Sequence, residues 1–122
     1  MPIATKSQIL EADDRPVEKV NTPEWGGEDS FVLVRSISAS ERDRFEQSMI
    51  EERGKNTRAN LSNIRARFAA MCVVDEGGAR IFTDAEAVDL GKKSAAVLDR
   101  IFGTAQRLNG MSGDDVDELA GN

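Results

Sequence analysis

Two kinds of side chain in this sequence could do chemistry, the carboxylates and one thiol, and their setting argues against both. Carboxylates occur as adjacent pairs, Asp13/Asp14, Glu51/Glu52 and Asp114/Asp115, in stretches that read as solvated. Acid–base catalysis needs two carboxyl groups held apart in a shielded site with separated pKa values, and neighbours in a wet segment do not meet that need. The single thiol, Cys72, lies beside Met71, Val73 and Val74 and reads as an ordinary buried cysteine. There is no histidine, which removes Ser-His-Asp and Cys-His arrangements and His-based metal sites. Phosphate-loop and EF-hand spacings are absent as well. No enzyme activity, metal or cofactor is expected.

What remains is binding chemistry. Trp25, followed by Gly26 and Gly27, has two readings: a cover for the open face of a hairpin, or an exposed anchor for a partner. Arg42, Asp43 and Arg44 read as a solvated helix face. Arg65, Arg67 and Arg80 could grip an acidic segment, such as Asp114 to Glu118 of a neighbouring copy.

The elements that must position these residues are partly marked. Ser7 to Glu11 can form one helical turn, with Ile9 and Leu10 docking on the rest of the chain. Val17 to Thr22 and Phe31 to Arg35 read as an antiparallel pair joined through the Trp-Gly-Gly loop. In the second strand Phe31, Leu33 and Arg35 face one way, and Val32 and Val34 the other. Ser38 and Glu41 form a capping box that opens a helix over about 39–53, stopped near Gly54. A second helix is predicted over 57–74 on a stripe of Leu61, Ile64, Phe68 and Met71. Thr83 and Glu86 make another capping box for a short helix over 84–90, interrupted by Gly91. A last helix over 93–109 repeats the 3, 4, 3 spacing with Leu98, Ile101, Ala105 and Leu108, widened by Phe102.

These elements predict an α+β chain that is mainly α: a small helical bundle with an N-terminal β-hairpin over 17–35 and a flexible acidic C-terminal tail. Residues 1–15 would form a partly flexible arm, 16–110 one folded domain and 111–122 the tail. The helix stripes have two readings: all pack inside one monomer, or one stays exposed to meet another copy or a client. On the second reading the contact residues would be Trp25, Phe45, Met49, Leu98, Ile101, Phe102 and Leu108.

Composition bounds the partners. The chain has 122 residues, 39% hydrophobic and 31% charged, with a net charge of −6. A nucleic-acid binder needs clustered Lys and Arg to displace phosphate counterions, so nucleic acid is not expected. The acidity sits at the ends: residues 1–36 carry 4 basic and 7 acidic groups, and 94–122 carry 2 and 5. No apolar run approaches the roughly 20 residues of a membrane span, and no membrane partner or secretion signal is expected. The few apolar residues outside the stripes leave a modest core, which makes a homo-oligomer an expectation.

The ordered set of Pro-Glu-Trp-Gly-Gly (23–27), Val-Leu-Val-Arg (32–35) and Ser-Ala-Ser-Glu-Arg-Asp-Arg-Phe (38–45) resembles the tail assembly chaperones of long-tailed, non-contractile bacteriophages. The likeness continues through Arg-Ala-Arg-Phe (65–68), Val-Val-Asp-Glu-Gly-Gly-Ala-Arg-Ile-Phe-Thr-Asp (73–84), Leu-Gly-Lys-Lys-Ser-Ala-Ala-Val-Leu-Asp-Arg-Ile-Phe (90–102) and Leu-Asn-Gly (108–110). The resemblance implies a protein that binds the tape measure protein in the host cytoplasm, keeps it soluble and promotes tail tube polymerisation around it. It implies absence from the mature virion, and a frameshifted longer product through which the tail tube protein is recruited in many relatives. It carries no active site. The competing expectation is a structural head–tail connector or tail completion protein present in the virion.

Overall fold

The structure, a computed structural model, describes residues 3–53, 56–59 and 63–111. In chain order its elements are α1 (Lys6–Glu11), β1 (Val17–Asn21), α2 (Pro23–Gly26), β2 (Phe31–Arg35), α3 (Ala39–Ser48) and β3 (Ile50–Arg53). They continue with β4 (Asn56–Ala59), α4 (Ile64–Cys72), β5 (Val73–Val74), α5 (Ala87–Leu90) and α6 (Ala95–Leu108). The chain is α+β.

The short β-branched runs form the frame. β1 and β2 pair antiparallel from Val17↔Arg35 to Asn21↔Phe31, as the alternation of apolar residues predicts. β5 joins the other edge of β2 through Leu33↔Val74 and Val34↔Val73, giving the order β1-β2-β5. The inner face buries Val20, Val34 and Val73. α6 lies across it, tied down where Arg107 of the helix pairs with Glu18 of β1.

α6 has the single apolar stripe expected of a helix with one wet side: Val97, Leu98, Ile101 and Ala105 are buried. α4 is different, because Ala66, Phe68, Ala69, Ala70, Met71 and Cys72 are all buried. A helix buried nearly all round has no single stripe, and its three alanines let neighbouring backbone come close. Phe68 is the centre of the core, with Phe45 at 5.0 Å and Phe102 edge-on at 5.7 Å between ring centroids.

Several boundaries differ from expectation. The helix predicted over 39–53 ends at Ser48, and the one predicted over 57–74 is confined to Ile64–Cys72. Between them β3 and β4 form a two-stranded hairpin from Ile50↔Ala59 to Arg53↔Asn56. Glu51, Glu52, Arg53, Asn56, Thr57 and Arg58 supply no apolar residue at helical spacing, so neither arm has a stripe to hold a helix on the core. Asn63, at φ 53°, sets the left-handed turn from which α4 starts.

Val73 and Val74, assigned to that helix, instead make the third strand, extended by an antiparallel bridge between Val74 and Arg80. The result is a sheet covered by α6, with α4 packed on α6 and α5, rather than a bundle with an appended hairpin. The short helix predicted over 84–90 begins at Ala87; the Thr83–Glu86 capping bonds are present, but they shape the turn before it. α6 spans Ala95–Leu108 within the predicted 93–109.

At the N-terminus α1 is capped by Thr5 and Gln8, whose side chains each accept the other's backbone N–H. Ile9 and Leu10 do not dock: α1 buries no residue. Met111, placed in the tail by sequence, is buried in the core. Gly54, Leu61 and the remainder of the acidic tail, 112–122, lie outside the described residues.

Candidate partner-binding surface

Among the described residues no group of three or more Cys, Asp or Glu side chains could hold a metal ion. Burial pushes the Cys72 thiol up to about 12, which keeps it protonated and inert at neutral pH. The arginines considered as a tail clamp are engaged within the chain. Arg65 meets Asp99 at 2.6 Å, Arg80 reaches Asp84 at 2.8 Å, and Arg67 bonds the Ser48 hydroxyl and carbonyl at 2.6 and 2.8 Å.

The turn that carries Trp25 is built by three local devices. Pro23 starts α2 at a position where its missing N–H costs nothing. A Cβ on Gly26 would stand 2.4 Å from the Ser30 hydroxyl, so only glycine fits. Gly27 leaves the turn at φ 102°, a region that favours glycine. Arg100 of α6 then clamps Glu24, one residue from Trp25, holding the Glu24 carboxyl down at about 2 through that hydrogen-bonded pair and its backbone contact.

Held this way, Trp25 is half-buried and lines a shallow hollow of about 160 Å³ with Phe82 and Leu90. Glu86, Asp89 and Lys93 form its charged rim. A second hollow of about 310 Å³ is lined by Phe45, Met71, Ala87 and Val88, with Arg44, Arg67 and Asp84 at its edge. α5 is the ridge between the two, giving Leu90 to one and Ala87 and Val88 to the other. Val88 is 58% exposed on this ridge.

The residues expected to contact a partner separate into two groups. Phe45, Met49, Leu98 and Ile101 are buried in the core. They offer a partner no free surface, beyond the part of Phe45 that floors the larger hollow. The stripes they belong to are consumed inside the monomer, because each faces sheet or helix of the same chain. Trp25, Phe102 and Leu108 are half-buried, Phe102 against Phe68 and Leu108 beside Ile37 and Arg42. Phe82, Val88 and Leu90 also line the hollows, and the sequence marks them only weakly, as apolar residues following a turn and a capping box, outside any long stripe.

A family model described as phage tail assembly chaperone matches residues 7–121. The chain belongs to the phage tail assembly chaperone family. The match begins within α1 and takes in all the later elements described above. No curated protein and no solved structure matches the chain. Membership assigns this chain a role in phage tail assembly.

Proposed function

We propose that this tail assembly chaperone binds apolar helical stretches of the tape measure protein and keeps that long chain soluble while tail tube subunits polymerise around it. The observation that carries the reading is the pair of apolar-floored hollows on either side of α5, in a chain of this family. An amphipathic client helix laid across α5 would place successive apolar side chains into the two hollows, as helix-in-groove recognition requires. The hollows are shallow and rimmed by charge, which suits modest affinity per copy and avidity from many copies. Tube assembly then displaces the chaperone, which acts in the host cytoplasm and leaves before the virion is complete. The tail tube protein would be recruited through a longer, frameshifted product.

The test is coexpression with tape measure fragments. Wild-type chain should retain them in the soluble fraction and in pull-downs, and purified virions should lack the chain by mass spectrometry. Val88→Asp should leave the fold intact, since the residue is exposed, and lower fragment recovery at least several-fold. Recovery at the wild-type level with both Val88→Asp and Trp25→Ala would reject the α5 surface. Stoichiometric recovery from virions would reject the chaperone reading.

A further inference from the structure

The three-stranded sheet has one guarded edge and one open edge. Beyond β5 the returning chain supplies partners: Asp75 N–H donates to the Ala79 carbonyl at 2.8 Å and Ile81 N–H to the Val73 carbonyl at 3.3 Å. β1 is the other edge. Thr22 N–H donates to the Ser30 carbonyl and Ser36 N–H to the Pro16 carbonyl, so Glu18 and Val20 point their backbone at β2. Val17, Lys19 and Asn21 therefore point theirs away from the sheet. Arg100 takes the Asn21 carbonyl, but among the described residues nothing bonds the three N–H groups or the Val17 and Lys19 carbonyls. Such a row is a template for an added strand.

That edge is also one wall of a groove of about 410 Å³, whose other wall is Arg100, Thr104 and Arg107 of α6. The helix runs against the strand: Arg107 pairs with Glu18, and Arg100, roughly two turns earlier, reaches Asn21. α6 therefore finishes beside the start of β1, where Asn109 also accepts the Ile37 N–H. Gly110, at φ 66°, then turns the chain back, and Met111 N–H donates to the Gln106 carbonyl at 2.8 Å. Residues 112–122 thus begin near that end of the groove. The five residues of β1 span about 17 Å. Residues 112–122 reach about 36 Å when extended, enough to follow the whole edge.

We propose that residues 112–122 lie along the open edge as a fourth strand, running in the direction of β1, and close it within the same chain. Alternation then sorts the side chains. With Val116 turned into the groove, Asp115 and Asp117 fall on the outer side. There Lys19 stands over the Phe31 ring at 4.3 Å, with no carboxylate partner among the described residues. Arg100 and Arg107 already hold Glu24 and Glu18, so Lys19 supplies the charge match. The acidic segment guards backbone that would otherwise pair with another chain, and its release bares a strand template. This contact avoids the α5 hollows and does not depend on the identity of the client.

Amide hydrogen exchange of the full-length chain, followed by NMR with no tape measure fragment present, tests the contact independently of the client reading. The Val17 and Lys19 N–H groups should exchange at least ten-fold more slowly in wild type than in Asp115→Pro/Val116→Pro. Of two neighbours in a strand one must donate to β1, and proline has no N–H to give. The Val20 N–H, which faces β2, should be equally slow in both chains and reports an intact sheet. Asp115→Lys/Asp117→Lys sets cations beside Lys19 and should quicken the same two amides several-fold. Protection should be unchanged by ten-fold dilution. Equal exchange in wild type and either variant would overturn the proposal, as would protection that fades on dilution and so comes from a second copy.

Discussion

Arg100 holds Glu24 with both ends of its guanidinium, Nη1 donating to Oε1 at 3.0 Å and Nη2 to Oε2 at 2.7 Å. Nη1 also donates to the Asn21 carbonyl at 2.8 Å. One side chain on α6 thus fastens the end of β1 and the start of the Trp25 turn, residues nearly eighty positions earlier in the chain.

That clamp has a defined pH dependence. The Glu24 carboxyl is lowered from 4.5 to about 2, so the folded state favours its charged form. A depressed carboxylate adds stability that is complete above its ordinary value and is lost as pH falls through the folded one. The stability difference between wild type and Arg100→Ala should therefore be constant above pH 4.5 and shrink towards pH 2, leaving only what the bond to the Asn21 carbonyl contributes. Trp25 is the sole tryptophan, and its fluorescence during urea titrations at a series of pH values reads the difference directly. The effect should be small, since the pair is open to solvent and screened by salt.

Phe68 is fully buried between Phe45 and Phe102. Phe68→Ala removes both ring contacts and opens a cavity, at a cost of about 3–5 kcal/mol. For a domain with only about 5–15 kcal/mol in total, that brings the folded state close to melting at 37 °C. Phe68→Leu should fall between the two in chemical denaturation.

Asn109 joins the end of α6 to the junction between β2 and α3. Its Oδ1 accepts the Ile37 N–H at 2.8 Å and its Nδ2 donates to the Ala105 carbonyl at 2.7 Å. Asn109→Ala leaves the Ile37 N–H without a partner, a loss of about 1–3 kcal/mol. Thermal unfolding should show a Tm lower by roughly 5 °C or more.

Cys72 offers a probe of opening. With its thiol pushed up to about 12, mainly by burial, it should not react with a thiol reagent at pH 8 while the chain is folded. Modification should follow the rate of opening and should quicken in the Phe68→Ala and Asn109→Ala variants. Prompt reaction in the native wild type would contradict the burial.

The parts of the fold legible in the sequence are those fixed by neighbours along the chain. The Ser38–Glu41 capping box forms as written, with Ser38 N–H to Glu41 Oε1 at 3.0 Å and Glu41 N–H to Ser38 Oγ at 3.2 Å. Pro23, Gly26 and Gly27 set the Trp25 turn, the alternation in β2 sets which residues face inward, and one strong stripe sets α6. Each depends on hydrogen bonds or periodicity within a few residues, which a sequence displays openly. Family membership was legible for the same reason, as an ordered series of short local pieces.

Tertiary structure decided the rest. Val73 and Val74 read as well in a helix as in a strand, and only the free edge of β2, some forty residues earlier, selects the strand. The heptad-like spacing of Phe68 and Met71 was genuine, but it could not reveal that Ala66, Ala69 and Ala70 would be buried as well. Whether an apolar side chain serves the core or a partner depends on which distant element arrives to cover it. For that reason Leu98 and Ile101 went inside, while Leu10, Phe31 and Val88 were left facing water.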